Sequence, residues 1–224
     1  MELVERETAS RLQEIEVLLK LIREIERPRS KIRVAVPSAA QSVTTLKASS
    51  FLLLYNVIES CVRMAFQQTY SEMQQDGVRF EDFPDGIREI WIKQEFSVPL
   101  DTANQSTYLQ RARGIAERIA ARDVPQLDPR KLPISGSLDG QSIQRLCTKH
   151  GVSLRIAKRA RGGVELVTIK EQRNALAHGH KSFAECGREY GVDDLERIYR
   201  QTKHFLTGFT RSVSKFNSSR GYRA

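Results

Sequence analysis

Apolar residues recur at helical spacing along most of the chain, with Pro and Gly residues between the runs. The first run extends from about Leu3 to Glu26 and stops at Pro28, which predicts a long amphipathic helix. The second run, from about Val43 to Gln74, is apolar almost all round, so we expect it to form the central helix of the core. No alternating strand pattern competes with these helices, and the sequence therefore predicts an all-α fold.

Shorter helices and connections are predicted beyond the second run. In chain order these are a short helix containing Ile87, Ile90 and Trp91, a polar helix from about Thr102 to Arg122, and an extended connection through Pro125, Pro129, Pro133 and Gly136. Asp139 is then expected to cap the start of a helix that ends near Lys149.

The last third of the chain predicts two longer helices. The pair Gly162–Gly163 precedes a helix from about Val164 to Ala177, which Gly179 is expected to stop. Asp193 with Glu196 three residues later predicts a capping box at the start of the final helix. The end of the chain, FNSSRGYRA, is expected to fray.

A chain of 224 residues with 40% hydrophobic content can bury a sizeable core, and we interpret it as one domain, 1–224. Its predicted parts are an N-terminal helix and linker (1–42), the core helix (43–74), an insertion (75–138), and the motif helix with the final helix (139–217). The most apolar segment, FLLLYNVIESCV, is interrupted by Asn56 and Glu59, so no membrane span is expected. The acidic start, MELVERE, has no signal-peptide core, which favours a cytoplasmic protein.

The three cysteines, Cys61, Cys147 and Cys186, form no C-x-x-C pair. This spacing argues against a disulfide framework and against a zinc site, and it favours reduced, buried thiols. We therefore expect neither a metal ion nor a cofactor.

The formal net charge is +9, and the basic residues are clustered. The clusters are Arg145, Lys149, Arg155, Lys158, Arg159 and Arg161, then Lys170, Arg173 and Lys181, and in the tail Lys215, Arg220 and Arg223. Clustered cations favour a polyanionic partner, nucleic acid first, because each neutralised phosphate releases condensed counterions. An acidic partner protein or a role in solubility remains the alternative.

The segment EQRNALAHGH, Glu171 to His180, contains an Arg followed five positions later by a His. RLCTKH, Arg145 to His150, has the same spacing, so the spacing alone is weak evidence for a site. The helical register distinguishes the two segments, because Arg173 lies on the apolar stripe of its helix with Leu166. A buried Arg requires an anionic partner, and Glu59 on the core helix is the candidate.

Arg173 and His178 suit the cleavage of RNA. A His with a pKa of about 6.5 exchanges a proton with a ribose 2′-hydroxyl or a departing 5′-oxygen, and Arg stabilises the charge that grows on the phosphorane. Asn174 lies four residues before His178, so its amide is placed to orient the imidazole. The Arg and the His are about 140° apart on an ideal helix and converge only through the length of Arg, a distorted helix end or a second subunit. Because one His cannot be base and acid at once, we expect a homodimer that brings two copies of His178 together.

Structural roles remain open for the same residues. His178 suits a helix C-terminal histidine that interacts with the helix dipole. Arg173 suits a structural ion pair with Glu59, and Glu59 also lies four residues before Arg63, the spacing of a helical ion pair. The other histidines are interpreted as surface residues, with the first of them nearest to the site: His180, His150 and His204.

The segments VELVTIKEQ and RNALAHGHKSFAECGREYGVDDLERI, together with FLLLYNVIESCVRMAF, resemble the HEPN superfamily, in particular a small bacterial subfamily linked to defence and toxin-type genes. The Arg-x-x-x-x-His motif of that family maps onto Arg173, Asn174 and His178, and the acidic residue of its core helix maps onto Glu59. The resemblance implies an antiparallel helical bundle of HEPN type, here with helical insertions, that dimerises through the motif helices. It also implies RNA cleavage without a metal ion, which in many members leaves a 2′,3′-cyclic phosphate.

The residues and the resemblance together predict an endoribonuclease, either a toxin or a defence effector. In this interpretation His178 is the acid–base catalyst, Arg173 holds the phosphate, Asn174 orients, and Glu59 ties down Arg173. The residues expected to bind the RNA substrate are Arg63, Lys170, His180, Lys181, Arg159 and Arg161. An antitoxin or another regulatory protein is a further candidate partner. The alternative is a non-catalytic RNA-binding or protein-interaction module of a defence complex.

Overall fold

The structure, a computed structural model, describes residues 1–27, 39–97, 105–132, 134 and 138–224. Every regular element in these ranges is helical, which confirms the predicted all-α fold. The α-helices of the described residues are α1 (Glu2–Glu26), α2 (Ala39–Gln75), α3 (Asp85–Phe96), α4 (Gln105–Ala120), α5 (Gly140–Lys149), α6 (Val164–Ala177), α7 (Phe183–Glu189) and α8 (Val192–Ser218). Short 3-10 helices lie at Phe80–Asp82, Pro129–Lys131 and Lys158–Gly163.

Helix α2 forms the centre of the core, as its almost uniformly apolar sequence predicts. It contacts α1, α6, α7 and α8. Large side chains along it are fully buried, namely Phe51, Leu54, Tyr55, Ile58 and Phe66. Because burial of one such side chain contributes roughly 1.5–3 kcal/mol, this row is a main source of the stability of the bundle.

Helices α1 and α2 pack side by side and run in opposite directions. Arg11 of α1 donates a hydrogen bond to the hydroxyl of Ser60. Further along α1, Glu26 pairs with Lys47 at 2.5 Å. The position on α2 falls as the position on α1 rises, and the two helices are therefore antiparallel.

Helix α6, which carries the Arg-x-x-x-x-His segment 173–178, contacts both α2 and α8. Near its start, the buried carboxylate of Glu165 forms an ion pair with Arg197 of α8. The residue before the helix, Gly163, packs so closely on α8 that an added Cβ would lie 2.6 Å from the ring of Phe205. These contacts pack the start of α6 against the middle of α8.

The start of α8 differs from the predicted capping box. The backbone N–H of Gly191 donates to the side chain of Asp194 at 3.2 Å, so the N-cap is Gly191, two residues before the predicted Asp193. Asp193 and Glu196 both bind Arg23 of α1 instead. The two carboxylates thus form ion pairs between α8 and α1 and do not cap α8.

Two segments are more structured than the sequence predicts. Helix α7 is absent from the prediction, although Ser182 and Glu185 form a capping box at its start. The expectation that the C-terminal end frays is wrong. Tyr222 is 2% exposed and packs against Phe216, and its hydroxyl donates to Asp76 at 3.0 Å.

All three cysteines are free and buried, as predicted. Burial raises the pKa of Cys61 and of Cys147 to about 12. Thiols in this state are poor nucleophiles at neutral pH.

Some predicted features lie outside the described residues, namely Thr102, Pro133 and Gly136. Helix α4 begins at Gln105 within the described part of the chain. No helix of the described ranges combines the length and the apolar character needed to cross a membrane. The division of the chain into 1–42, 43–74, 75–138 and 139–217 stays a prediction.

Candidate active site

The Arg-x-x-x-x-His segment forms the end of α6. The backbone N–H of His178 still donates to the carbonyl of Asn174 at 3.0 Å, and Gly179 then takes a left-handed φ of 70°. The N–H of Lys181 turns back to the carbonyl of Ala175 at 3.2 Å and closes the helix end. The predicted bounds of this helix and its stop at Gly179 are confirmed, and His178 lies exposed at the turn.

The side chain of Arg173 lies across an aromatic ring of the core helix. Its guanidinium carbon is 4.5 Å from the centroid of the Tyr55 ring, which makes a cation–π contact. Its Nη1 also donates to Oδ1 of Asn174 at 2.9 Å. Tyr55 is itself fixed, because it is fully buried and its hydroxyl accepts from the backbone N–H of Leu138 at 3.3 Å. A rigid ring therefore holds the cation in a half-buried position.

The ion pair predicted between Glu59 and Arg173 is not formed. Glu59 pairs with Arg63, one turn further along α2, at 3.0 Å. Arg173 has no carboxylate within 4.0 Å among the described residues. The physical reason is that Arg173 is only half-buried, and that Tyr55, one turn before Glu59 on the same face of α2, takes the guanidinium. The charge of Arg173 is left without an internal counterion.

The imidazole of His178 does not have its predicted partner. Asn174 directs its side-chain oxygen to Arg173 instead of to the ring of His178. The ring of His178 is exposed, and its centroid lies 5.9 Å from that of His180, which is exposed as well. Two imidazoles therefore lie side by side at the helix end within one chain.

Several predicted substrate-binding cations are already paired with carboxylates. Lys170 lies 2.6 Å from Asp139, which caps α5 as predicted. Lys181 lies 2.7 Å from Glu189, and this hydrogen bond raises the pKa of Lys181. Arg63 is paired within α2. An incoming phosphate must compete with a carboxylate at each of these three positions.

The basic run before α6 is different. Arg159 and Arg161 are exposed, and neither has a carboxylate within 4.0 Å in the described part of the chain. They lie at the start of α6, whose 14 residues separate them from His178. At about 1.5 Å per residue, the two ends are about 20 Å apart. The structure therefore does not bring these two arginines to the motif end of the helix.

A polar network behind the motif was not indicated by the sequence pattern. Gln172 accepts a hydrogen bond from Lys181 at 3.1 Å and donates to the hydroxyl of Tyr190 at 3.0 Å. The ring of Tyr190 packs edge-on against Phe51 of α2, with centroids 4.7 Å apart. This network anchors the chain beyond the motif on the core helix. With Tyr55, it supplies the positioning residues that sequence reasoning missed.

The second Arg-x-x-x-x-His segment, 145–150, ends in a buried histidine, whereas a surface histidine was predicted. The side chain of His150 is enclosed, with Nδ1 2.7 Å from the carbonyl of Leu146 and Nε2 2.7 Å from the hydroxyl of Tyr70. Burial lowers the pKa of His150 to about 4. The neutral ring donates through Nδ1 and accepts through Nε2, so its role is structural. His204, also predicted at the surface, is half-buried.

The geometry defines an all-helical domain with an Arg-x-x-x-x-His segment at an exposed helix end. Residues 2–222 match the model of the MAE_28990-like HEPN family. The chain therefore belongs to the HEPN family, whose helical domains are often ribonucleases. No curated protein and no solved structure gives a significant match to the chain.

Proposed function

We propose that this protein is an endoribonuclease that cleaves RNA by attack of the ribose 2′-hydroxyl and leaves a 2′,3′-cyclic phosphate. The observation that carries the proposal is the end of α6. There the exposed rings of His178 and His180 lie 5.9 Å apart, on the helix end that also carries Arg173, a cation without a carboxylate partner among the described residues. Membership in the HEPN family supports the proposal, because ribonucleases are common in that family.

The reaction needs one proton removed and one proton delivered. The 2′-oxygen forms a bond to phosphorus while the bond from phosphorus to the 5′-oxygen breaks. The neutral imidazole of His178 accepts the 2′-hydroxyl proton, and a protonated imidazole delivers a proton to the 5′-oxygen. Arg173 donates hydrogen bonds to the phosphoryl oxygens as their charge grows. The Tyr55 ring and Asn174 keep that guanidinium in place.

The second imidazole has two candidate sources. His180 is in the same chain, with its ring centroid 5.9 Å from that of His178. A homodimer paired through α6 would instead bring in His178 of a second copy. The variant His180→Ala distinguishes them, because it abolishes cleavage if the pair lies in one chain and leaves it largely intact if the pair lies across a dimer.

The proposal is tested by cleavage of a fluorescent, structured RNA in EDTA. Wild type is compared with Arg173→Ala and His178→Ala, and the product ends are analysed. We expect cyclic-phosphate ends from the wild type and loss of cleavage in both variants, since imidazole and guanidinium supply the proton transfers and the charge stabilisation. RNA binding without cleavage, unchanged in either variant, would contradict the nuclease function. Loss of cleavage by the wild type in EDTA would contradict its metal independence.

The substrate contacts and the setting belong to the same proposal. Lys170, Lys181 and Arg63 would exchange their carboxylate partners for phosphates, whereas Arg159 and Arg161 have no carboxylate partner in the described part of the chain. We further propose a cytoplasmic toxin or defence effector that an antitoxin or another regulatory protein restrains. Expression of the wild type should then slow the growth of the host, and His178→Ala should relieve the effect.

A second candidate function is a non-catalytic RNA-binding or protein-interaction module of a defence complex. It is favoured by one observation: Asn174 binds Arg173, so no described side chain hydrogen-bonds the His178 ring and fixes its orientation. Equal tolerance of wild type and His178→Ala by the host, together with RNA binding and no cleavage, would support this function over the nuclease.

A further inference from the structure

A second basic site lies along the C-terminal half of α8 and shares no lining residue with the Arg-x-x-x-x-His segment 173–178. Residues 151–157 and the second half of α8 enclose a groove of about 550 Å³, called here the α8 groove. Arg155, Arg211 and Lys215 line it, and no Asp or Glu of the described residues does. Ser153, Thr207 and Ser219 line it as well, and the hydroxyls of Thr207 and Ser219 donate to the backbone carbonyls of Lys203 and Phe216. The α8 groove thus combines three cationic side chains with small polar residues.

The walls of the α8 groove are held by specific contacts. The backbone N–H of Arg155 donates to the hydroxyl of Ser212 at 3.0 Å. The segment lies so close to α8 that a Cβ added at Gly208 would be 2.8 Å from the carbonyl oxygen of Arg155. At the far end, Gly221 borders the groove and is held in place by Tyr222, which is buried against Phe216. The groove is therefore a fixed feature of the fold.

The cations of the α8 groove are uncompensated. Arg155, Arg211 and Lys215 are all exposed, and none has a carboxylate within 4.0 Å among the described residues. The neighbouring Arg220 is different, because it pairs with Asp76 at 2.9 Å. Three like charges that converge on one groove repel one another unless an anion lies between them. The arrangement therefore favours a bound polyanion.

We propose that the α8 groove binds phosphate groups of an RNA strand and anchors the substrate away from the cleavage site. Guanidinium groups match phosphate oxygens in bidentate geometry, and a lysine ammonium binds them as a point charge. The choice of RNA rests on the proposed function. Arg155 lines the groove, and the chain continues from it through Arg159 and Arg161 to the start of α6, the helix that carries Arg173.

The test measures binding of a fluorescent, fully 2′-O-methylated RNA, which cannot be cleaved by 2′-hydroxyl attack. The triple variant Arg155→Ala, Arg211→Ala, Lys215→Ala is compared with a control of equal charge change, Lys93→Ala, Arg113→Ala, Arg130→Ala. The control cations are exposed but each has a carboxylate partner. We expect the Kd of the groove variant to rise about tenfold or more, and the slope of log Kd against log salt to fall by about 2, since each phosphate contact to a single strand contributes about 0.7.

The result that would overturn the inference is a groove variant with the same Kd and salt slope as the control variant. Failure of the wild type to bind the methylated RNA would overturn it too. Thermal unfolding of both triple variants is measured as a control, to check that each is folded. Because the probe cannot react, binding is measured whether or not the protein is a nuclease. The protein could fail to cleave ordinary RNA and still bind the methylated probe through the groove. That result would contradict the proposed nuclease function and support the groove as an RNA-binding site.

Discussion

The two Arg-x-x-x-x-His segments of this chain have the same local geometry. In each, the His follows the last residue of a helix, α5 for His150 and α6 for His178. In each, the next residue is a glycine with a left-handed φ, 78° at Gly151 and 70° at Gly179. The motif spacing therefore describes how a helix ends, and it does so equally well at both places.

The surroundings of the two histidines are opposite. His150 is enclosed, and both ring nitrogens are hydrogen-bonded within the protein. His178 is exposed, and its companion Arg173 is held on the ring of Tyr55. A ring whose nitrogens are both occupied cannot exchange protons with a substrate, whereas an exposed ring is free to do so. The comparison teaches that tertiary environment, and not spacing, decides which segment is a candidate for catalysis.

The largest expected effect is that of His178→Ala on the cleavage proposed here. Loss of a general acid–base catalyst should slow single-turnover cleavage about 10²- to 10⁴-fold. Because His178 is exposed, the free energy of unfolding should change by less than about 0.5 kcal/mol. Urea unfolding and cleavage measured on the same preparation check both parts. Full cleavage by this variant would contradict the assignment of segment 173–178, as opposed to 145–150, to catalysis.

Unlike His178→Ala, His150→Phe should change the pH dependence of the free energy of unfolding. The unfolded chain binds a proton at His150 below about pH 6.5, whereas the folded protein binds it only below about pH 4. Stability from this group is therefore present above pH 6.5 and is lost as pH falls to about 4, by roughly 3 kcal/mol. Urea unfolding between these pH values should show this loss in the wild type and a smaller one in His150→Phe. If the free energy of unfolding changed with pH by the same amount in both proteins, a buried, neutral His150 would be contradicted.

The smallest effect concerns the ring that holds Arg173. Tyr55→Leu removes the cation–π contact, worth about 0.5–1 kcal/mol at a partly exposed site, and should slow cleavage about two- to fivefold per folded molecule. Tyr55→Phe keeps the ring and should keep the cleavage rate, although it loses the hydrogen bond from Leu138. Equal rates in the two variants would show that Tyr55 does not position the guanidinium.

The sequence predicts those parts of the fold that depend on local signals. The bounds of α6 and its stop at Gly179 follow from glycine conformations and apolar periodicity within about four turns. The burial of His150 depends on Tyr70, which is 80 residues away in the chain, and no local pattern indicates it. A basic residue on an apolar stripe, such as Arg173, is predicted to be buried, and only the positions of the neighbouring helices show how far it is.

For Arg173, the sequence predicts the neighbouring helix but not the side chain on that helix that contacts the guanidinium. Helical register correctly indicates α2 and the face of α2 that meets Arg173. That face offers both Tyr55 and Glu59, four residues apart, and the sequence favours the carboxylate because a buried cation needs an anion. Arg173 is only half-buried, so the requirement does not apply, and the guanidinium lies on the ring.

The most direct test compares the two arginines of the two segments. Single-turnover cleavage of one RNA is measured for the wild type, Arg173→Ala and Arg145→Ala. Both substitutions remove one cation with the same spacing to a His, but only Arg173 lies at the proposed site. If Arg173 stabilises the phosphorane, we expect a loss of about 10²- to 10³-fold for Arg173→Ala and a change of less than about twofold for Arg145→Ala. Equal effects of the two substitutions would contradict it.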